Sequence, residues 1–495
     1  MKKQHLIFLS IVFISLSQSI AQQYGSLPKI SKEKLQLDFN IFKQALEKQH
    51  TGMYWYTPKD SVDVAFTKGY DQINSDLNEI EFFKIIAPIV ALTREDHTDI
   101  RLSDATNNYL ENEATYLPLS VVFLDKKMYI INQGVSDEYR HLVKKEIISI
   151  NGESPIELVE KLGNLFASDG FIKAVKYSDL YGFSFSKHYF LQYGFVDTFD
   201  LKVKDNNGNI QDVQLSAALL KNIQENFKKY QTKKKPVTDE SLVFKIVNDT
   251  TAYLAVHTFS TDVYRDNTIH KNYKRFLKNS FKTIQEKNIS NVIIDVSENG
   301  GGNEGNENLL YSYIGPNYQK YNSVCAKSQH TTLDNGVDTP ISFKTFGFLE
   351  RVFSNKKMEN GSYCRTEGIG FGLMAYKKEP RYTYNGKLYV LISPVTYSGG
   401  SEFSNMVYTN KRATFVGEET GGGYYGNTSG YSVGIPLKYS NITIIVPALK
   451  FDMNVSGSPF GRGVIPHHKV IPTIDEYMSG IASPLHYILE GKATH

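Results

Sequence analysis

Apolar residues recur through positions 34–50 at Leu35, Leu37, Phe39, Phe42 and Leu46, a spacing that gathers them on one face of a helix. Positions 81–92 repeat the pattern with Phe82, Ile85, Ile86, Ile89 and Val90. Both segments predict helices, and residues 22–112 read as a small helical domain. The pattern then shortens. Apolar runs at 117–123 and 128–132 predict two strands around Asp125-Lys126-Lys127, and a third at 147–150 ends in the turn Asn151-Gly152. Pro155 opens a predicted helix to position 165, in the first turn, where its missing N–H costs nothing. Runs at 199–203 and 213–215 predict a hairpin around Asp205-Asn206-Asn207-Gly208. Positions 221–235 hold six lysines with little apolar periodicity, a solvated helix and linker that completes a connecting region at 176–241.

From position 242 the pattern becomes regular α/β. Strands are predicted at 243–247, 251–256, 291–296, 387–392, 413–416 and 443–446. A helix at 267–286 carries Tyr273, Phe276, Leu277, Phe281 and Ile284 on one side. Alternating strands and helices argue for a sheet covered by helices, an α/β core over residues 242–480. The strand, Asn-Gly turn and helix at 147–165 resemble the second half of a PDZ-like module, here bounded at 113–175. The usual Gly-Leu-Gly-Phe-like carboxylate loop is not evident, so the module is read as truncated or structural.

Composition narrows the classes. The 495 residues are 41% hydrophobic and 22% charged, which excludes a disordered or collagen-like chain. Net charge is +3, from 55 basic and 52 acidic residues, and gives no electrostatic case for nucleic acid. Lys2 and Lys3, an apolar run at 6–16 and Ser19-Ile20-Ala21 compose a signal peptide over residues 1–21. No other apolar stretch reaches bilayer length, so the expected product is exported, periplasmic or extracellular, with no integral membrane span. Cys325 and Cys364 lie 39 residues apart. Export permits a disulfide between them, and spacing alone leaves the question open.

Three segments carry chemistry. Asp295 to Asn303 leaves a buried strand through Asn299-Gly300-Gly301-Gly302, where backbone N–H groups can face an anion. A P-loop fails here, because Asn306 stands where its lysine is needed. The second segment, Ser393-Pro394-Val395-Thr396-Tyr397-Ser398-Gly399-Gly400, joins a strand to a helix. Ser398 there is either an ordinary N-cap or a nucleophile whose developing charge the helix end favours. The third, Gly417-Glu418-Glu419-Thr420-Gly421-Gly422-Gly423, has more glycine than a turn needs.

Taken in order with Gly461-Arg462-Gly463-Val464-Ile465-Pro466, this set resembles the tail-specific (C-terminal-processing) serine protease family, related to the tricorn core protease. The resemblance covers about residues 242–475. It implies a crotonase-like or Clp-protease-like core of ββα units and peptide-bond hydrolysis through an acyl-enzyme. Ser398 would be the nucleophile. Gly399 and the Gly300–Gly302 loop, Gly301 foremost with Gly302 beside it, would supply the oxyanion N–H groups.

Many family members activate the serine with a lysine 25 positions later. Position 423 is Gly here, in the frame Thr420-Gly421-Gly422-Gly423. Tricorn-like members use an N-terminal histidine, and Glu95-Asp96-His97-Thr98 resembles their Asp-Gly-His-Thr motif. His97 is the implied general base, since imidazole takes a hydroxyl proton near neutral pH. No carboxylate stands in Ser458-Pro459-Phe460-Gly461-Arg462, so the orienting acid is sought in Glu418, with Glu419 and Asp96 as alternatives. His467 replaces the usual Asp after the proline. The reading calls for no cofactor and no metal, and the expected partner is a peptide or protein tail. A non-catalytic peptide- or ligand-binding protein on the same fold is the rival reading, and an acyl-CoA enzyme of the crotonase type rests on fold kinship alone.

Overall fold

The computed structural model describes residues 27–230, 241–260, 273–327, 355–359, 361–365 and 380–493. The predicted signal segment and the lysine-rich stretch after position 230 lie outside the described residues. Among those described, no helix is long and apolar enough to cross a membrane.

An α/β sheet of six strands organises the C-terminal half, in the order His468–Lys469, Thr414–Gly417, Lys387–Ile392, Asn291–Asp295, Thr251–Val256, Leu242–Asn248. The first five run parallel, and only Leu242–Asn248 pairs antiparallel. Parallel strands need both faces covered. Val292, Ile294, Val390 and Ile392 pack with Phe276, Leu277, Phe281 and Ile284 of the helix Tyr273–Glu286. Ile293, Tyr389, Leu391 and Val416 point the other way, onto Ile488 of the C-terminal helix Ser483–Leu489. Asp295 pairs with Leu391, and Ile392 with Gly417. The carboxyl ends of three adjacent strands therefore finish level, and each opens into one of the chemistry-bearing loops.

A second sheet contains Asp99–Arg101, Thr443–Met453, Tyr321–Ala326, Tyr363–Arg365 and Asn355–Lys357 in that order, with Gly426–Pro436 also paired to Thr443–Met453. The antiparallel pairing of Asp99 with Ile445 carries the N-terminal segment to this sheet. Helices Lys32–Gln49 and Glu79–Ala91 then share one core with Val433, Ile435, Ile442, Ile444 and Val446. The Asp38 carboxylate closes this union by accepting hydrogen bonds from Tyr439 N, Ser440 N and Ser440 Oγ. Cys325 and Cys364 face each other in register and form a disulfide.

Between these parts lies a five-stranded antiparallel sheet of Leu119–Leu124, Lys127–Gln133, Glu146–Ile150, Thr198–Lys204 and Ile210–Ser216. The helix after the Asn151-Gly152 turn spans Pro155–Leu162, with Pro155 in its first turn and a capping box between Ser154 and Glu157. The predicted hairpin at 199–215 is present and longer than the apolar run alone indicates.

Candidate active site

Ser398 sits at the junction between the strand Lys387–Ile392 and the helix Gly399–Thr409. Its backbone has φ 46° and ψ −123°, and its side chain makes no capping hydrogen bond. An N-cap serine normally has extended backbone and accepts from an N–H of the first turn. Neither holds, so the cap reading of Ser398 falls. The strained backbone is held from several directions. Thr396 Oγ1 donates to Val296 O at 2.9 Å and accepts from Ser393 N at 3.1 Å. Tyr397 N donates to Asn299 O at 3.0 Å, joining the elbow to the glycine loop. A left-handed φ in a non-glycine residue costs on the order of 1–3 kcal/mol and persists only where its surroundings over-determine it.

The glycine loop folds against that elbow. A Cβ on Gly301, at φ +105°, would stand 3.0 Å from Ser398 Oγ and 3.1 Å from Gly399 N. Asn299 fixes the loop from within: its Nδ2 donates to Val256 O at 2.9 Å and its Oδ1 accepts from Gly301 N at 2.8 Å. That last bond corrects the expectation for Gly301, whose N–H is consumed and not offered to an oxyanion. The N–H groups of Gly399 and Gly302 make no hydrogen bond among the described residues. Asp295 is structural, accepting from Tyr253 OH, Ser297 N and Ser297 Oγ.

The third segment closes the other side. Gly421 N and Gly422 N both donate to Thr396 O, and a Cβ on Gly422 would lie 3.2 Å from Ser398 N. Thr420 and Val464 exchange backbone and side-chain bonds. Arg462 forks onto both carboxylate oxygens of Glu419, which accounts for the Gly-Arg-Gly-Val motif as a clamp.

His97 arrives on a turn fastened at three points. Glu95 Oε2 accepts from Thr428 N at 2.7 Å, Asp96 N donates to Asp169 Oδ1 at 2.9 Å, and Thr98 Oγ1 bonds His50 Nε2 at 2.7 Å. Asp169 also accepts from Gly423 N at 3.0 Å through Oδ2, so the His97 turn and the third segment share one carboxylate. Burial lowers the His97 pKa below its usual value, against the opposing charges of Asp96 and Glu402. Its Nδ1 is a buried atom without a partner. Burial, reinforced by Asp169, raises Asp96 to about 7, and burial raises Asp169 itself to about 6 against its two backbone N–H bonds.

The expectation for Glu418 is corrected. The charges that act on it are Lys469 and Asp125, and it is absent from those that act on the His97 ring. Its neighbour Glu419 is held by Arg462. The carboxylates whose charges act on the histidine are Asp96 and Glu402, and Glu402 stands one helical turn beyond Ser398. Glu402 lies in a buried network that composition and spacing gave no sign of. Lys320, 1% exposed, bonds both Glu307 at 2.6 Å and Glu402 at 2.5 Å, while Tyr321 OH and Asn427 Nδ2 donate to Glu402 as well. Burial, the largest single influence, pushes Glu402 up, but the Lys320 charge together with the hydrogen bonds from Lys320, Tyr321 and Asn427 leaves it below its usual value. Asp169 and Lys320 were missed and lie in no motif, while Asn299 stands within the glycine motif and only its hold on Gly301 N was not foreseen. His467 is also structural, its Nδ1 accepting from Phe415 N at 2.9 Å.

Residues 250–470 match the family model described as peptidase family S41. No curated protein matches the chain. Among solved structures, mature CPAF complexed with lactacystin aligns at TM-score 0.64 and 13% identity, covering 93% of this chain and 98% of that one. A mutant of CPAF aligns at TM-score 0.65 and 14% identity, covering 94% and 99%. At these identities the likeness speaks for the fold. The tricorn protease aligns at TM-score 0.37 with 11% identity over 93% of this chain and 36% of that one, too low to carry an argument.

Proposed function

We propose, from the premise that residues 250–470 are a peptidase family S41 domain, that the protein is a serine peptidase hydrolysing peptide bonds through an acyl-enzyme, with Ser398 as nucleophile and His97 as general base. One observation carries the choice of Ser398: an uncapped serine with φ 46° at the start of an 11-residue helix, packed so closely on Gly301 that a Cβ there would lie 3.0 Å from its Oγ. The helix end and the open Gly399 N–H favour negative charge at that point.

The reaction follows from these groups. Ser398 Oγ attacks the scissile carbonyl as its proton passes to the His97 ring. The tetrahedral oxyanion develops toward the N–H groups of Gly399 and Gly302. His97 then gives the proton to the departing amine, and water repeats the sequence to release the acyl group. Burial favours a neutral ring before the attack, the form a base needs, and the Asp96 and Glu402 charges stabilise the imidazolium formed during it.

The substrate is a peptide or protein tail, and the enzyme works outside the cytoplasm. The apolar segment before residue 22 and the Cys325–Cys364 disulfide support export. The β-β-α order of Leu242–Asn248, Thr251–Val256 and Tyr273–Glu286 supports a crotonase-like core, and the five-stranded sheet supports a PDZ-like module upstream. A fluorophosphonate probe tests the reading. It should label Ser398, with labelling abolished in Ser398→Ala and strongly reduced in His97→Ala. A chain unlabelled throughout about pH 6 to 9, where a histidine base is competent, is instead a binding protein on this fold.

A further inference from the structure

The segment that follows the helix Pro155–Leu162 supplies a carboxylate at the meeting point of two loops. Asp169 is 2% exposed, and each of its oxygens accepts one backbone N–H, from Asp96 at 2.9 Å and from Gly423 at 3.0 Å. Asp96 immediately precedes His97, and Gly423 immediately follows the glycine packed on Ser398 N. The neighbouring backbone strengthens the join: Gly170 N donates to Arg94 O at 2.9 Å, Arg94 returns a bond to Gly170 O at 3.2 Å, and Phe171 N donates to Gly461 O at 2.7 Å. Position 423 has no room for a side chain, since a Cβ there would meet Gly426 O at 2.8 Å and Asp169 Cβ at 3.8 Å. Gly426 O thus closes the position at which a lysine would be sought, and Asp169 packs beside it in ordinary contact and binds its N–H.

We propose that Asp169 is a positioning residue for the reaction: by bridging Asp96 N and Gly423 N it sets the placement of the His97 ring relative to Ser398, an inference that rests on the peptidase reading above. A carboxylate suits the task because both of its oxygens accept. The isosteric amide keeps one acceptor and turns an NH2 toward the second N–H, so one of the two loops must move away. A misplacement near 1 Å costs roughly 100-fold in rate.

The test is the second-order rate of fluorophosphonate labelling in a double-mutant cycle. Asp169→Asn should label roughly 100-fold more slowly than wild type. In a His97→Ala background the same substitution should change the residual rate less than about twofold, because Asp169 acts through His97. An equal drop in both backgrounds marks a general structural role and overturns the proposal, as does a labelled wild type matched by Asp169→Asn. If Asp169→Asn does not accumulate folded, Asp169→Glu, with both acceptors retained but displaced by one methylene, enters the same cycle under the same criteria. A wild-type chain that takes no label overturns the peptidase reading, and this inference with it.

Discussion

Gly301 and Ser398 are in backbone-to-side-chain contact with no space between them: a methyl carbon on Gly301 would lie 2.7 Å from Ser398 Cβ. The glycine also has φ +105°, where any side chain is strained. Gly301→Ala should therefore displace the serine and cut fluorophosphonate labelling by roughly 100-fold. Gly300→Ala is the control, since a Cβ there meets nothing within 4 Å. Equal labelling rates in the two variants would contradict the contact.

Ser398 holds a backbone conformation that glycine adopts freely. Ser398→Gly and Ser398→Ala should both be inactive, but the glycine variant should be more stable than the alanine variant by about 1 kcal/mol. Urea denaturation of the pair measures the difference. Alanine proving the more stable would mean that the elbow stores no strain.

Burial lowers the His97 pKa. A base works in its unprotonated form, and a lowered pKa keeps that form populated to lower pH. The acidic limb of the labelling rate against pH should accordingly have its midpoint below the ordinary histidine value of about 6.5. A midpoint above 7 would show that the carboxylates facing the ring outweigh its burial.

Lys320 neutralises two buried carboxylates at once. Lys320→Met leaves Glu307 and Glu402 without their cation and should cost about 3–5 kcal/mol of stability at pH 7. Adding Glu307→Gln and Glu402→Gln should recover part of the loss. Chemical denaturation of the single and triple variants gives both numbers, and a single variant as stable as wild type would refute the network's role.

The Cys325–Cys364 disulfide closes a loop of 39 residues. Replacing both cysteines by alanine should lower stability by about 4 kcal/mol on the chain-entropy account. The midpoint of denaturation, compared with and without reductant for wild type, checks it. An unchanged midpoint would mean the sheet pairing alone closes that loop.

The elements most legible in the sequence were those with one strong local signal. Asn291–Asp295 and Lys387–Ile392 are unbroken apolar runs because both faces of a parallel sheet are covered. Ser398 was legible through the ordered set of motifs and not through its own junction, since a serine between strand and helix fits an N-cap as well. The helix Lys59–Gln72 was not, since it buries little beyond Val62, Phe66 and Gly69 and so shows a weak stripe. Inside the site the failures share a cause. The use of Gly301 N–H by Asn299, the separation of Glu418 from the histidine, and the bridge made by Asp169 all depend on which polar atom reaches which partner. Spacing does not encode that; only the folded packing does.

The core of the N-terminal helices is not closed by those helices alone: Val433, Ile435, Leu437, Ile442, Ile444 and Val446 complete it. A chain emerging from the ribosome accordingly carries His97 long before Ser398 is made, and the helices leading to that histidine cannot finish their core until residues 433–446 have followed. The nucleophile and its base are therefore brought together only when almost the whole polypeptide has been made.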